Sequence, residues 1–274
     1  MYSAARTGER TLSVNTLAGG FHAPSLQDFF PSAVLFAGTP FELDRLMLVR
    51  ILMAAVLIAV MLLAFRSPRL VPRGLQNIAE IGLVFVREQI CEEVLGKKSG
   101  RKYFPLIATI FFTVLFLNFS SVVPFLNVSS NARVGMPLVL AVIAYITFNW
   151  VGIRKYGLWK YIRSSIVVPN VPIALHVLLI PIEFISTFIL RPFTLTVRLM
   201  ANMLSGHIML VLFFSATQFF LFDAASWMKV FSPFSLIAGI GFTLFELLVI
   251  FLQAYVFALL TAVYIGLAQH ADSH

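Results

Sequence analysis

The sequence predicts an all-α polytopic membrane protein: three transmembrane helices, one interfacial amphipathic helix, and a C-terminal hairpin of two long tilted or bent membrane helices. Three observations carry this. The 274 residues are 59% hydrophobic and only 12% charged, where a soluble domain is nearer 45–50% and about 25%. Mean hydropathy is +0.92. The apolar residues lie in runs of membrane-crossing length, and the basic residues collect in the short segments between them.

Residues 1–44 are mixed in character and carry Pro24, Pro31 and Pro40. No cleavable signal is expected, because the first apolar run begins only at Leu46. They are expected to form an extracytoplasmic tail, and residues 45–274 a single membrane domain. The first span is 46–65, which matches ~30 Å of hydrocarbon at ~1.5 Å per residue. In 71–95, Arg73, Glu80, Arg87, Glu88, Glu92 and Glu93 interrupt an otherwise apolar segment, so a helix lying in the interface is expected there. A polar basic turn, GKKSGRK, follows. Spans are then predicted over 103–125 and 134–153, joined by the short turn NVSSNAR. Residues 171–222 and 233–268 are too long for upright crossings, at ~78 Å and ~54 Å as single helices. They must tilt, bend, or break at Pro181 and Pro192.

Basic residues set the expected orientation. Between the first two spans lie Arg66, Arg69, Arg73, Arg87, Lys97, Lys98, Arg101 and Lys102, and Arg154, Lys155, Lys160 and Arg163 follow the third. The other side has fewer, so the N-terminus is expected outside and the C-terminus in the cytoplasm. This accounts for the net charge of +8 without nucleic acid. A lone cysteine, Cys91, excludes an internal disulfide. No G-x-x-x-x-G-K-[ST] loop is present, and His22, His270 and His274 have no metal-ligand spacing, so no cofactor is expected.

The polar residues of the two long segments are the informative ones. Arg198 lies deep in an apolar stretch. A guanidinium stays charged, and burying it at a bilayer centre costs roughly 2.5–3.5 kcal/mol on insertion scales. If the segments form an antiparallel hairpin, Arg198 with Gln253 and His207 with Glu246 share a midpoint near residue 226, inside the expected turn. His207 and Glu246 would then be level, either as a buried polar pair or as a proton path. Asn202 and Ser205 share the Arg198 stripe, and Gln253 that of Glu246, whereas His207 points away from Arg198. Neither Glu183 nor Glu246 clearly neutralises Arg198, so its carboxylate partner is expected on another protein. Ala201, Ser205 and Gly206 would let that partner's helix approach. Glu183 is open between lining a channel and pairing with Arg191. Arg191 itself suits the carbonyls freed at Pro192.

The run RLMANMLSGH resembles the signature of subunit a of rotary F-type ATP synthases, approximately R-L-x-x-N-x-x-x-G-[HE]. The run FELLVIFLQAYVFALLTAVYI resembles that family's C-terminal helix, with Glu246, Gln253, Tyr255 and Tyr264 in register. LNFSSVVPF, with Asn118, looks like its asparagine-containing second span. The resemblance covers about 45–268; Met200 departs from the more usual large apolar residue. It implies a proton-translocating stator that is non-catalytic by itself. Its partners would be a ring of small hydrophobic hairpin subunits (the c-ring), peripheral-stalk b subunits, a soluble catalytic head reached through the complex, and the lipid bilayer. Arg198 would separate two offset aqueous half-channels. Glu246, His207, Asn118 and Gln253 would line the outer one, Glu183 the cytoplasmic one, with Asn202 beside the arginine. A bacterial plasma membrane is the expected location, with a mitochondrial or thylakoid membrane as the alternative. Two other readings compete. A self-contained secondary transporter is disfavoured by the lack of inverted repeats. A non-conducting scaffold leaves the unpaired arginine unexplained.

Overall fold

The computed structural model describes residues 33–35, 43–123, 131, 133–166, 173–223 and 226–270. Most of the expected tail and of the NVSSNAR turn lies outside the described residues. So do His22, His274 and the side chain of His176. The described part is helical apart from a two-stranded antiparallel pair, β1 (Ala33–Leu35) with β2 (Leu43–Asp44). Five helical stretches are long and apolar enough to cross a membrane: Arg45–Ala64, Leu75–Phe119, Gly135–Tyr156, Leu178–Phe222 and Trp227–Gln269.

Helix α1 (Arg45–Ala64) is apolar on nearly every side and buries only Leu46, Val49, Met53 and Ala64. Such a helix has lipid, rather than protein, around most of its surface. Next come α2 (Leu75–Phe85), a π-helical turn (Val86–Glu92) and α3 (Glu93–Phe119). Some of the charges that break the apolar pattern here pair among themselves: Arg87 with Glu88 and Glu92 at 3.7 and 3.4 Å, and Arg101 with Glu92 at 3.7 Å.

The expected basic turn GKKSGRK is not a loop. Only Gly96 leaves helical geometry, at φ 73° and ψ 163°, and Lys97–Lys102 are already helical. A side chain strains at such a φ, whereas glycine accepts it at no steric cost. One residue therefore re-aims the chain and no loop is needed. The span also closes earlier than 125: α3 ends at Phe119, where Ser120 and Ser121 turn their hydroxyls back onto the carbonyls of Leu117 and Asn118.

Helix α4 (Gly135–Tyr156) runs three residues beyond its expected end and stops at Gly157, at φ 80°. The short α5 (Leu158–Ile166) then folds back, setting the Tyr161 ring against Gly152. The first long segment comprises α6 (Ile173–Ile185), a π-helical turn (Ser186–Leu190) and α7 (Arg191–Gln218). Helix α6 continues through Pro181 and α7 begins across Pro192. The irregular turn lies between the two prolines, where the ring at 192 cannot supply an N–H to the turn before it. The second is α8 (Phe231–Gln269), unbroken through 39 residues.

Helix α8 is the centre of the molecule; α3, α4 and α7 all pack on it. Its inner face buries Ile250, Ala254, Phe257, Ala258, Ala262 and Ile265, small residues alternating with large ones. Phe111, Phe148, Leu195 and Leu199 close against this face. Rings fill the gaps: Phe148 lies 5.7 Å from Tyr264, and Phe85 5.9 Å from Tyr255, between centroids. The C-terminal end of α8 is tied to that of α4, where Tyr156 Oη donates to the Gln269 carbonyl at 2.7 Å.

Candidate functional site

Helices α7 and α8 run antiparallel, and three contacts give the register. Ser232 Oγ donates to the Thr217 carbonyl at 3.4 Å, and Ser235 Oγ to the Phe213 carbonyl at 3.0 Å. Further along, the Glu246 carboxylate lies directly over Gly206: a Cβ built there would stand 2.2 Å from Oε2. The hairpin register expected from the midpoint near residue 226 is the one observed. His207 and Glu246 both lie on the buried side, Glu246 1% exposed.

Gly206 thus has a different task from the one its size suggests. It does not open the outer surface to a partner. It leaves space inside the hairpin where the Glu246 carboxylate rests, and a side chain there would make that carboxylate shift. Ala201 and Ser205 are exposed, as an outward contact would require.

On α8, Glu246, Ile250, Gln253 and Phe257 form one buried stripe, with positions three, four and seven apart. Glu246 Oε1 and Gln253 Nε2 are buried and have no hydrogen-bond partner among the described residues. Burying polar atoms without partners costs roughly 1–3 kcal/mol each. Two such atoms lie on a single stripe of an otherwise largely apolar face.

Asn118 belongs to the same end of the bundle. It is fully buried near the end of α3 and accepts a hydrogen bond from Asn131 Nδ2. The other polar atom of each amide, Asn118 Nδ2 and Asn131 Oδ1, has no partner among the described residues. Asn131 is a residue that sequence reasoning missed. It stands in a segment that reads only as a turn, and nothing in its spacing marks it as buried.

Arg198 lies elsewhere. It is exposed on α7, while its neighbours Leu195, Leu199 and Met203 are buried. It makes no hydrogen bond or ion pair with any described residue. Gln253, level with it in the register, faces the interior, so the two do not meet. Asn202 is half-buried at the edge of the outer stripe. The two pairings that could not share one line on straight helices are separated: the His/Glu level is inside and the arginine is outside.

Arg191, two turns before Arg198, is held within the chain. Its guanidinium stacks 5.1 Å from the centroid of the Tyr264 ring. Glu183 is half-buried in α6 and forms no ion pair with Arg191. A further cluster that the sequence did not signal lies at the start of α1, where Arg133 pairs with Asp44. No group of three or more metal-ligating side chains occurs among the described residues.

Comparison with known proteins gives the family. The family described as "ATP synthase A chain" matches residues 47–266. The protein named ATP synthase subunit a of Rhodococcus erythropolis is 66% identical, over 100% of both chains. Those of the same name from a Parafrankia species and from Streptomyces lividans are 37% and 34% identical, over 90% and 92% of this chain and 84% and 89% of their own.

Proposed function

This chain belongs to the ATP synthase A chain family, and from that premise we propose that it is the proton-translocating stator subunit of a bacterial rotary ATP synthase. It is non-catalytic itself. It works against a ring of small helical hairpins, each with one membrane carboxylate, and is braced by peripheral-stalk b subunits that lead to the catalytic head. It is multi-pass in the plasma membrane, with the N-terminus outside and the C-terminus in the cytoplasm.

The observation that carries this reading is that Arg198 forms no ion pair with any carboxylate among the described residues. The side chain stands on an outward face beside Ala201 and Ser205, where a partner helix can come close. A carboxylate on a passing ring helix would meet it there and be held ionised. The cost of a fixed charge in lipid is then offset by the partner's opposite charge. Arginine suits the task because it neither deprotonates nor carries a proton onward, so protons cannot cross directly between the two half-channels.

The outer half-channel is drawn along Asn118, His207, Glu246 and Gln253. The first three approach one end of the bundle, and Gln253 continues the Glu246 stripe toward the level of Arg198. The buried polar atoms along it suit water or a passing proton. Asn202 supports the arginine's edge of the interface. Glu183, across the π-helical turn from α7, is assigned to the cytoplasmic half-channel. Each proton crossing releases ~2.3 kcal/mol per 100 mV, so ring rotation sums many crossings for each ATP.

The test is Arg198→Ala in inverted membrane vesicles, with ATP-driven proton pumping and passive leak recorded separately. Loss of pumping in an assembled complex is expected. Normal pumping would remove Arg198 from the mechanism and leave the scaffold reading.

A further inference from the structure

At the end of the bundle opposite the proposed outer channel, α3 and α4 both pack on α8 with little direct contact between them. The groove this leaves widens into a cavity of about 660 Å³. Its floor is apolar, from Leu95 and Val151, both buried. Its rim is basic: Lys98 and Lys102 project from successive turns of α3, Arg154 and Lys155 from the last turn of α4. No Asp or Glu among the described residues lines it.

The four cations are not equally engaged. Lys155 Nζ donates to the Gln269 carbonyl and so closes the C-terminal end of α8. Lys98, Lys102 and Arg154 pair with no carboxylate among the described residues, whereas Arg101, beside Lys102, is drawn to Glu92. Lys102 also lies over the Tyr103 ring, 5.2 Å from its centroid, but three cations around one cavity still repel each other, which favours an anionic guest.

What kind of guest follows from the surface above the cavity. Trp150 stands at its mouth, 62% exposed. From it an exposed apolar stripe runs up α4 through Ile146, Ile143 and Val139. Tyr103 lines the opposite wall. Aromatic rings at the boundary between a charged rim and an apolar stripe mark the headgroup level of a bilayer. A soluble acidic peptide would satisfy the rim and leave the stripe uncovered. The geometry points to a binding site for one anionic phospholipid, its phosphate among Lys98, Lys102 and Arg154 and an acyl chain along the α4 stripe. Basic hollows between membrane helices are suited to such headgroups. The site is independent of the proton path and would anchor the α3–α4–α8 junction in the membrane.

The experiment uses the full-length chain, purified from membranes in mild detergent with the subunits that accompany it, and returned to phosphatidylcholine nanodiscs. Phosphatidylglycerol is then titrated in, and bound phosphatidylglycerol is counted after extraction. The Lys98→Gln, Lys102→Gln, Arg154→Gln triple variant should weaken retention by about tenfold or more. A control that removes the same charge from the same end outside the cavity (Lys97→Gln, Lys160→Gln, Arg163→Gln) should keep it. The charge-preserving set Lys98→Arg, Lys102→Arg, Arg154→Lys should also keep it, which separates headgroup binding from damage to the fold. Equal retention by the triple variant and wild type overturns the proposal. So does loss of an accompanying protein subunit from the triple variant with lipid unchanged, which would assign the cavity to that protein.

Discussion

Arg191 and Arg198 stand two turns apart on one helix, and the fold treats them in opposite ways. Arg191 lies at the start of α7, next to the π-helical turn and over the Tyr264 ring. Its charge is absorbed by an aromatic face of the same chain. Arg198 has buried neighbours on either side but faces outward, with no partner among the described residues. A cation held at home is part of the fold. A cation kept at the surface of an apolar helix is, on the proposed function, completed by a carboxylate from outside the chain. In membrane proteins the more informative charge is the one its own chain declines to neutralise.

The sharpest way to break the comparison is to exchange guanidinium for ammonium at both places. Arg198→Lys is expected to lower ATP-driven proton pumping by roughly a hundredfold or more, since a desolvated lysine sheds its proton where an arginine does not. Arg191→Lys should keep most of the activity, because a lysine still meets the ring of Tyr264. Equal losses in the two variants would show that position on α7 matters more than partnership.

Gly206→Ala is next in size. The added methyl would overlap Glu246 Oε2 at 2.2 Å, and the side chain cannot retreat into a packed helix without moving its carboxylate. A fall of about tenfold in pumping is expected in a complex that still assembles, because the carboxylate is displaced from its place against α7 rather than because the fold is lost. Gly241→Ala makes the matching control, as nothing lies within 4 Å of that position. Full activity of Gly206→Ala would mean that the place of Glu246 against α7 is not critical.

A smaller effect is expected at the amide pair. Asn118→Leu leaves Asn131 buried without its acceptor, and Asn131→Leu does the converse, each costing roughly 1–3 kcal/mol. The double variant should cost less than the two together, and thermal unfolding of the purified complex gives the coupling. Strict additivity would dissolve the pair. Smallest of all, Tyr264→Leu should lower stability by roughly 0.5–2 kcal/mol through loss of the stacked guanidinium, with the proton pathway left intact. A pumping defect as large as that of Arg198→Lys would undo the division between structural and functional arginines.

Part of the site is legible in the order of the residues. The fixed charge of Arg198, and the shared midpoint that sets His207 level with Glu246, follow from side-chain chemistry and helix geometry. The break at Gly96 is hidden because a run of polar residues reads as a loop, although lysines and arginines are good helix formers. Asn131 is hidden because a buried amide in a turn leaves no periodic trace. Gly206 reads as an outward contact, since spacing counts residues but does not say which neighbour occupies the space beside them.

Length, hydropathy and ionisation are properties of the residues themselves. They suffice to dictate an all-helical membrane chain and which side chains are chemically unusual; the family is carried by the motifs around Arg198, Glu246 and Asn118. Which of those side chains face inward is a matter of tertiary packing, because helix rotation is set by contact with α8. The shape of Phe111, Phe148, Leu195 and Leu199 against its small-residue face turned Glu246 toward Gly206 and left Arg198 on the outside.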